Sequence, residues 1–110
     1  MATHLFSSAG SEGLSCFVSG QPERVIPWDQ IQNIGAFHRY DERSEYAVIW
    51  LRVPADMFPV EFTERDPRWP GLLQGIALHL RGVVPFERWF PKEMHPVFEK
   101  NAYGVYSKDV

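Results

Sequence analysis

The sequence has very little cysteine: Cys16 is the single cysteine among 110 residues, so the chain cannot form a disulfide within itself. Disulfides mark oxidising compartments, and the first residues lack the basic start and apolar run of a secretory signal. A reducing cytoplasm is therefore the expected location. Cys16 is expected to pack as a small strand residue, because no thiolate-stabilising group lies near it in sequence.

Long runs of apolar or basic residues are also missing. The longest uninterrupted apolar run is AVIWL at residues 47–51, whereas a membrane-spanning helix needs about 20 such residues. The chain has 11 basic and 14 acidic residues, a net charge of −3, and its arginines are scattered singly. Without a basic stripe to follow a phosphate backbone, we expect no nucleic-acid partner and no membrane insertion.

Motifs for enzyme chemistry are missing as well. The sequence contains no P-loop, dinucleotide-binding fingerprint, nucleophile elbow or zinc-ligand spacing. It therefore predicts no cofactor, no catalytic residue and no metal ligand, and it favours a role without catalysis.

Apolar residues that alternate along the chain predict strands over most of its first two-thirds. The clearest strand is residues 45–53, whose two faces are both apolar, so we expect it to be central in its sheet. Nine prolines and eight glycines predict many turns and short elements. The other predicted strands are residues 4–8, 13–20, 24–28, the second half of 31–40, and 59–64.

An amphipathic helix is predicted at residues 67–81, because the spacing of apolar residues changes there from two to about 3.6. Asp66 is the expected N-cap, with Pro67 at the first helical position. Gly82 is the expected left-handed residue after the helix. The predicted buried stripe consists of Trp69, Leu72, Leu73, Ile76, Ala77 and Leu80.

Residues 85–106 form an irregular aromatic tail in which three prolines forbid a long helix. We predict that this tail covers the protein's own core and that residues 102–107 return as a final strand. The resulting fold class is α+β in a single domain, residues 1–110. It comprises a bent antiparallel sheet or partial barrel of about five to seven strands, one main helix and the tail.

The segment RVIPWDQIQNI at residues 24–34 resembles the I-P-W-x-x-I-x-x-I strand pattern of bacterial proteins with a pleckstrin-homology-like fold. The resemblance covers residues 24–81 and implies that Ile26, Trp28, Ile31 and Ile34 are core positions of one bent strand. The basic early loop of lipid-binding members is replaced here by AGSEG. The resemblance thus implies a fold and not phosphoinositide binding.

The most polar segment, HRYDERSE at residues 38–45, suggests a first candidate site. His38, Arg39, Asp41 and Arg43 would gather at a hairpin tip and bind an anion or a partner protein. The alternative is a solvated turn, in which Asp41 and Ser44 are ordinary turn formers.

The tail suggests a second candidate binding site at Trp89, His95 and Glu99. His95 and Glu99 would share a face of a continuous helix, as two metal ligands do, but Pro96 biases His95 away from helical geometry. A metal is therefore not predicted. The four tryptophans, Trp28, Trp50, Trp69 and Trp89, fill the core or line an apolar pocket.

Taken together, these patterns favour a small cytoplasmic binding or protein-interaction module whose partner is another protein or a second copy of the chain. The alternative is a small-ligand-binding protein or small enzyme with an aromatic pocket served by His38 or His95.

Overall fold

In the computed structural model of the chain, residues 3–42, 44–85 and 103–108 are described. These residues form seven strands and one α-helix, which confirms the predicted α+β class. The strands are β1 (Leu5–Ala9), β2 (Gly13–Phe17), β3 (Arg24–Pro27), β4 (Asn33–Tyr40), β5 (Glu45–Arg52), β6 (Val60–Thr63) and β7 (Tyr103–Ser107), and the helix is α1 (Trp69–His79).

The strands are divided between two antiparallel sheets, where the sequence predicts a single bent sheet or partial barrel. The first sheet has the order β1-β2-β3 and the second the order β6-β5-β4-β7, and they are not closed into a barrel. The chain passes between them just after β3, where Pro27 ends the strand and Trp28–Gln30 form a 3-10 turn. A backbone hydrogen bond of 2.9 Å from His4 N to Glu61 O joins the beginning of the first sheet to β6.

Strand β5 lies between β4 and β6, as its two apolar faces predict. Its residues Ala47, Ile49 and Leu51 are buried in the core. Val48, on the opposite face, is also fully buried. The predicted final strand is confirmed too, because β7 pairs with β4 across about 70 residues of sequence.

Helix α1 begins at Trp69 and not at Pro67, so the prediction that Asp66 is the N-cap is wrong. The N-cap is Arg68, and Pro70 occupies the first turn, where an N–H has no partner within the helix. Gly82 has a φ of 81°, two residues beyond the C-cap Leu80. Of the predicted stripe, Trp69, Leu72, Ile76 and Leu80 are buried, Leu73 is half-buried and Ala77 is exposed.

The core is one cluster of buried side chains from both sheets, the helix and Val105 of β7. The four residues of the pleckstrin-homology-like pattern, Ile26, Trp28, Ile31 and Ile34, all belong to this cluster. They do not lie on one bent strand, however, because Ile26 is in β3 and Ile34 in β4 of the other sheet. Among the described residues, no helix is both long enough and apolar enough to cross a membrane.

Candidate binding groove

The four residues of the polar segment do not form one site. His38 is buried on the core face of β4, with its neighbours Ile34 and Ala36. Arg39 points the other way and forms an ion pair with Glu61 at 3.1 Å. Asp41 accepts a 3.2 Å hydrogen bond from the backbone N–H of Ser44 and is bound by the guanidinium of Arg65. Arg43 lies outside the described residues.

The tail residues Trp89, His95 and Glu99 also lie outside the described residues, so the second candidate site stays a prediction. Within the described part of the chain, no three His, Cys, Asp or Glu side chains are grouped as metal ligands would be. Of the tryptophans, Trp28 and Trp69 are buried in the core. Trp28 also donates a 2.7 Å hydrogen bond to Gly10 O and stacks on His79.

Trp50 differs, because it lies on the face of the second sheet that points away from the core. Directly paired residues share a face of a sheet, and Trp50 is paired with Gly35 on β4 and with Glu61 on β6. We call this side the outer face. The outer face carries Asn33, Gly35, Phe37 and Arg39 of β4, Tyr46, Val48, Trp50 and Arg52 of β5, and Glu61 and Thr63 of β6.

Two arginines cover the half of the outer face nearest the β4–β5 turn. The guanidinium carbon of Arg39 lies 5.1 Å from the ring centre of Phe37, and that of Arg65 lies 3.9 Å from the ring centre of Tyr46. Such cation–π contacts favour a guanidinium lying over a ring. This half of the face is therefore closed by the chain's own side chains.

The other half of the outer face is built around the contact between Trp50 and Gly35. A Cβ atom at position 35 would overlap the indole ring of Trp50, so only glycine lets the ring lie this close to β4. The indole is half-buried, because the strand backbone covers one part of it. The ring thus forms a partly exposed aromatic surface in a fixed position.

Two open hollows lie beside this ring and share Trp50 and Asn33 as walls. The first, of about 510 Å³, separates Trp50 from residues 81–84 and from β7. The second, of about 450 Å³, lies between Trp50, Arg52, Pro59 and Glu61. We call the two hollows together the Trp50 groove. Each is within the range of roughly 300–1,000 Å³ that ligand pockets occupy.

Glu61, which lines the second hollow, is neutralised by Arg39. Both carboxylate oxygens accept hydrogen bonds from this guanidinium, at 3.1 and 3.4 Å. Burial is the largest single influence on the pKa of Arg39 and lowers it, but the hydrogen bonds and charge of Glu61, together with Tyr46, outweigh burial and raise that pKa. The arginine therefore stays charged, and the pair contributes no net charge to the groove.

The described residues that line the groove form no arrangement suited to nucleophilic catalysis. No histidine or cysteine is among the described residues that line it, and His38 lines neither hollow. The one thiol, Cys16, is buried in the first sheet, and burial raises its pKa to about 11. A thiol with this pKa is overwhelmingly protonated near neutral pH and is a poor nucleophile, which agrees with its predicted packing role.

Sequence reasoning placed Trp50 on one apolar face of the strand at residues 45–53 and among the four tryptophans, but it did not find the groove. A glycine inside the strand pattern of residues 31–40 was the available signal, since glycine in a strand often marks a close approach. The glycine by itself does not indicate which residue approaches it, because the register between β4 and β5 is a property of the folded chain.

Comparison of the chain with protein-family models, with curated proteins and with solved structures finds no match. The resemblance to pleckstrin-homology-like proteins therefore stays a prediction.

Proposed function

We propose that the protein is a small binding module without catalysis, and that it holds a segment of a partner protein in the Trp50 groove. The groove itself supports this proposal: a fixed aromatic ring, set on a rigid sheet, faces two open hollows. Sites on strands hold their geometry more precisely than sites on loops. Aromatic rings in such positions are common anchors of protein interfaces.

A protein partner is favoured over a small molecule by the loop that precedes β6. Met57 and Phe58 are 87% and 58% exposed, and they directly precede Pro59, which lines the second hollow. Small-molecule sites enclose most of their ligand, whereas these hollows are open and continue into an exposed apolar loop. An apolar surface of this kind suits contact with another protein.

The alternative of an aromatic pocket served by His38 receives no support from the placement of His38, which is buried on the core face. His95 and the interpretation of residues 85–106 as a cover for the core depend on residues 86–102, which are outside the described part. Self-association and a cytoplasmic location likewise stay predictions.

The proposal is tested by selecting binders from a library of random peptides and mapping them by NMR. We expect selected peptides to shift the indole N–H signal of Trp50, which the Trp50→Phe variant assigns. Replacement of Phe58 by Ser should weaken binding several-fold, because an exposed apolar contact is lost. Leu78→Ser on the helix is the control, since Leu78 is also a large exposed apolar residue, 78% exposed.

A result in which the peptides leave the Trp50 signal unchanged would contradict the proposal. Equal weakening by Phe58→Ser and Leu78→Ser would also contradict it, because the two positions lie on different surfaces of the fold.

A further inference from the structure

The described arginines fall into two groups: those whose side chains are bonded within the protein, and those whose side chains are not. The arginines of the second group both line the Trp50 groove. Arg24, Arg39 and Arg65 each form an ion pair, with Asp56, Glu61 and Asp41 respectively. Arg68 donates a 3.1 Å hydrogen bond to the backbone oxygen of Phe6. Within the described residues, the two arginines whose side chains form neither an ion pair nor any hydrogen bond are Arg52 and Arg81.

Both of these arginines line the Trp50 groove, one in each hollow. Arg52 belongs to the second hollow and Arg81 to the first. Both side chains are exposed, so they keep the freedom to move toward a ligand. Since Glu61 is neutralised by Arg39, the described residues that line the groove carry about two uncompensated positive charges in a protein whose net charge is −3.

We infer that the groove recognises an acidic segment of its partner, in which carboxylates on either side of an apolar or aromatic residue meet Arg52 and Arg81. This inference rests on the binding function proposed above and names the chemistry of the partner. Arginine guanidinium groups bind carboxylates through two parallel hydrogen bonds. The central residue of the segment packs against Trp50, as an aromatic anchor of an interface does.

An extended peptide fits this arrangement better than a compact anion. The two arginines line different hollows, so one small anion in either hollow would leave the other arginine without a partner. An extended chain places alternate side chains on one side at regular intervals. It therefore reaches both hollows while its backbone crosses the ring.

The test uses short synthetic peptides with glutamates two positions before and two positions after an aromatic residue, and matched peptides in which glutamines replace the glutamates. Binding is measured by fluorescence anisotropy at low and high salt, and the Trp50 indole N–H signal reports the position. We expect the acidic peptides to bind at least about tenfold more tightly than their amide counterparts. Arg52→Gln and Arg81→Gln should each remove most of this difference, and high salt should reduce it.

Arg65→Gln is the matched control, since it removes the same charge from the opposite end of the outer face. Equal binding of acidic and amide peptides, with a shifted Trp50 signal, would overturn the acidic inference and leave the binding function standing. If neither set shifts the Trp50 signal, both proposals fail. If free citrate competes as tightly as the acidic peptide binds, the ligand is a small anion and the inference of a peptide is overturned.

Discussion

At the scale of single residues, the geometry of the groove depends on the absence of a Cβ atom at Gly35. Gly35 allows the indole of Trp50 to lie against β4, and any Cβ at this position would overlap the ring. Trp50 is directly paired with Gly35 between β4 and β5, so its ring lies on the same face of the sheet as that glycine. The position of the aromatic surface therefore depends on both Gly35 and Trp50.

Gly35→Ala should therefore destabilise the protein and displace the ring together. We expect a loss of about 1–3 kcal/mol in the free energy of unfolding, as for other overpacked sites, with a changed chemical shift of the Trp50 indole N–H. Gly10→Ala is the control, because a Cβ at Gly10 meets nothing within 4 Å. An unchanged indole signal in Gly35→Ala would contradict the proposed contact.

His4 makes stability depend on pH, for a reason that the structure identifies. Burial first, and the positive charge of Arg24 second, hold the pKa of His4 below its ordinary value of 6.5, while Asp56 acts in the opposite direction. Within the described residues its Nδ1 atom is buried without a hydrogen-bond partner. The unfolded chain therefore takes up a proton at a higher pH than the folded protein does.

The contribution of His4 to stability should be fully present above about pH 6.5 and lost as the pH falls from there through the lower folded pKa. We expect wild type to lose stability between about pH 7.5 and pH 5. His4→Gln should lose less over the same interval, because glutamine takes up no proton. Denaturant midpoints at the two pH values give the comparison, and parallel losses in the two proteins would show that His4 is not the source.

At the scale of elements, helix α1 shows what local pattern determines and what it does not. The stripe of Trp69, Leu72 and Ile76 follows from the 3.6-residue period and packs on the core as expected. The helix start does not follow from the pattern. Asp66 accepts a hydrogen bond of 2.9 Å from Arg68 N and another of 2.9 Å from Phe6 N. Its carboxylate therefore links the segment just before the helix to β1.

Ile76→Ala should cost about 2–5 kcal/mol of unfolding free energy, because a fully buried side chain is replaced by one that leaves a cavity. Leu78→Ser, two residues further on, should change stability by less than about 0.5 kcal/mol, since Leu78 is exposed. Chemical denaturation of the two variants measures both values. Similar costs at the two positions would mean that the helix is docked through a different face.

At the scale of the whole molecule, the second sheet is completed by a strand that is far away in sequence from the strand it pairs with. Strand β7 supplies the edge of the second sheet, and Val105 within it is buried in the common core. A backbone hydrogen bond of 2.9 Å from Val84 N to Val105 O also links β7 to the segment after the helix. The last strand is therefore part of the fold and not an appendage.

Ending the chain before Tyr103 should lower the melting temperature by several degrees or abolish cooperative melting, because β4 loses a partner strand and the core loses Val105. The control chain ends at Lys108 and keeps β7 intact. Melting followed by circular dichroism compares the two chains, and equal melting temperatures would contradict a structural role for β7.

The sequence by itself determined which segments are strands and helix, because periods of two and 3.6 residues depend only on backbone geometry near each residue. It also determined that β5 is central, since both of its faces are apolar. Only the tertiary structure decided the division into two sheets and the contact of Trp50 with Gly35. It alone also identified the groove arginines as lacking partners among the described residues. These features depend on contacts between residues that are separated in sequence. The packing of the whole core determines which of these residues meet, and the local sequence pattern carries no information about it.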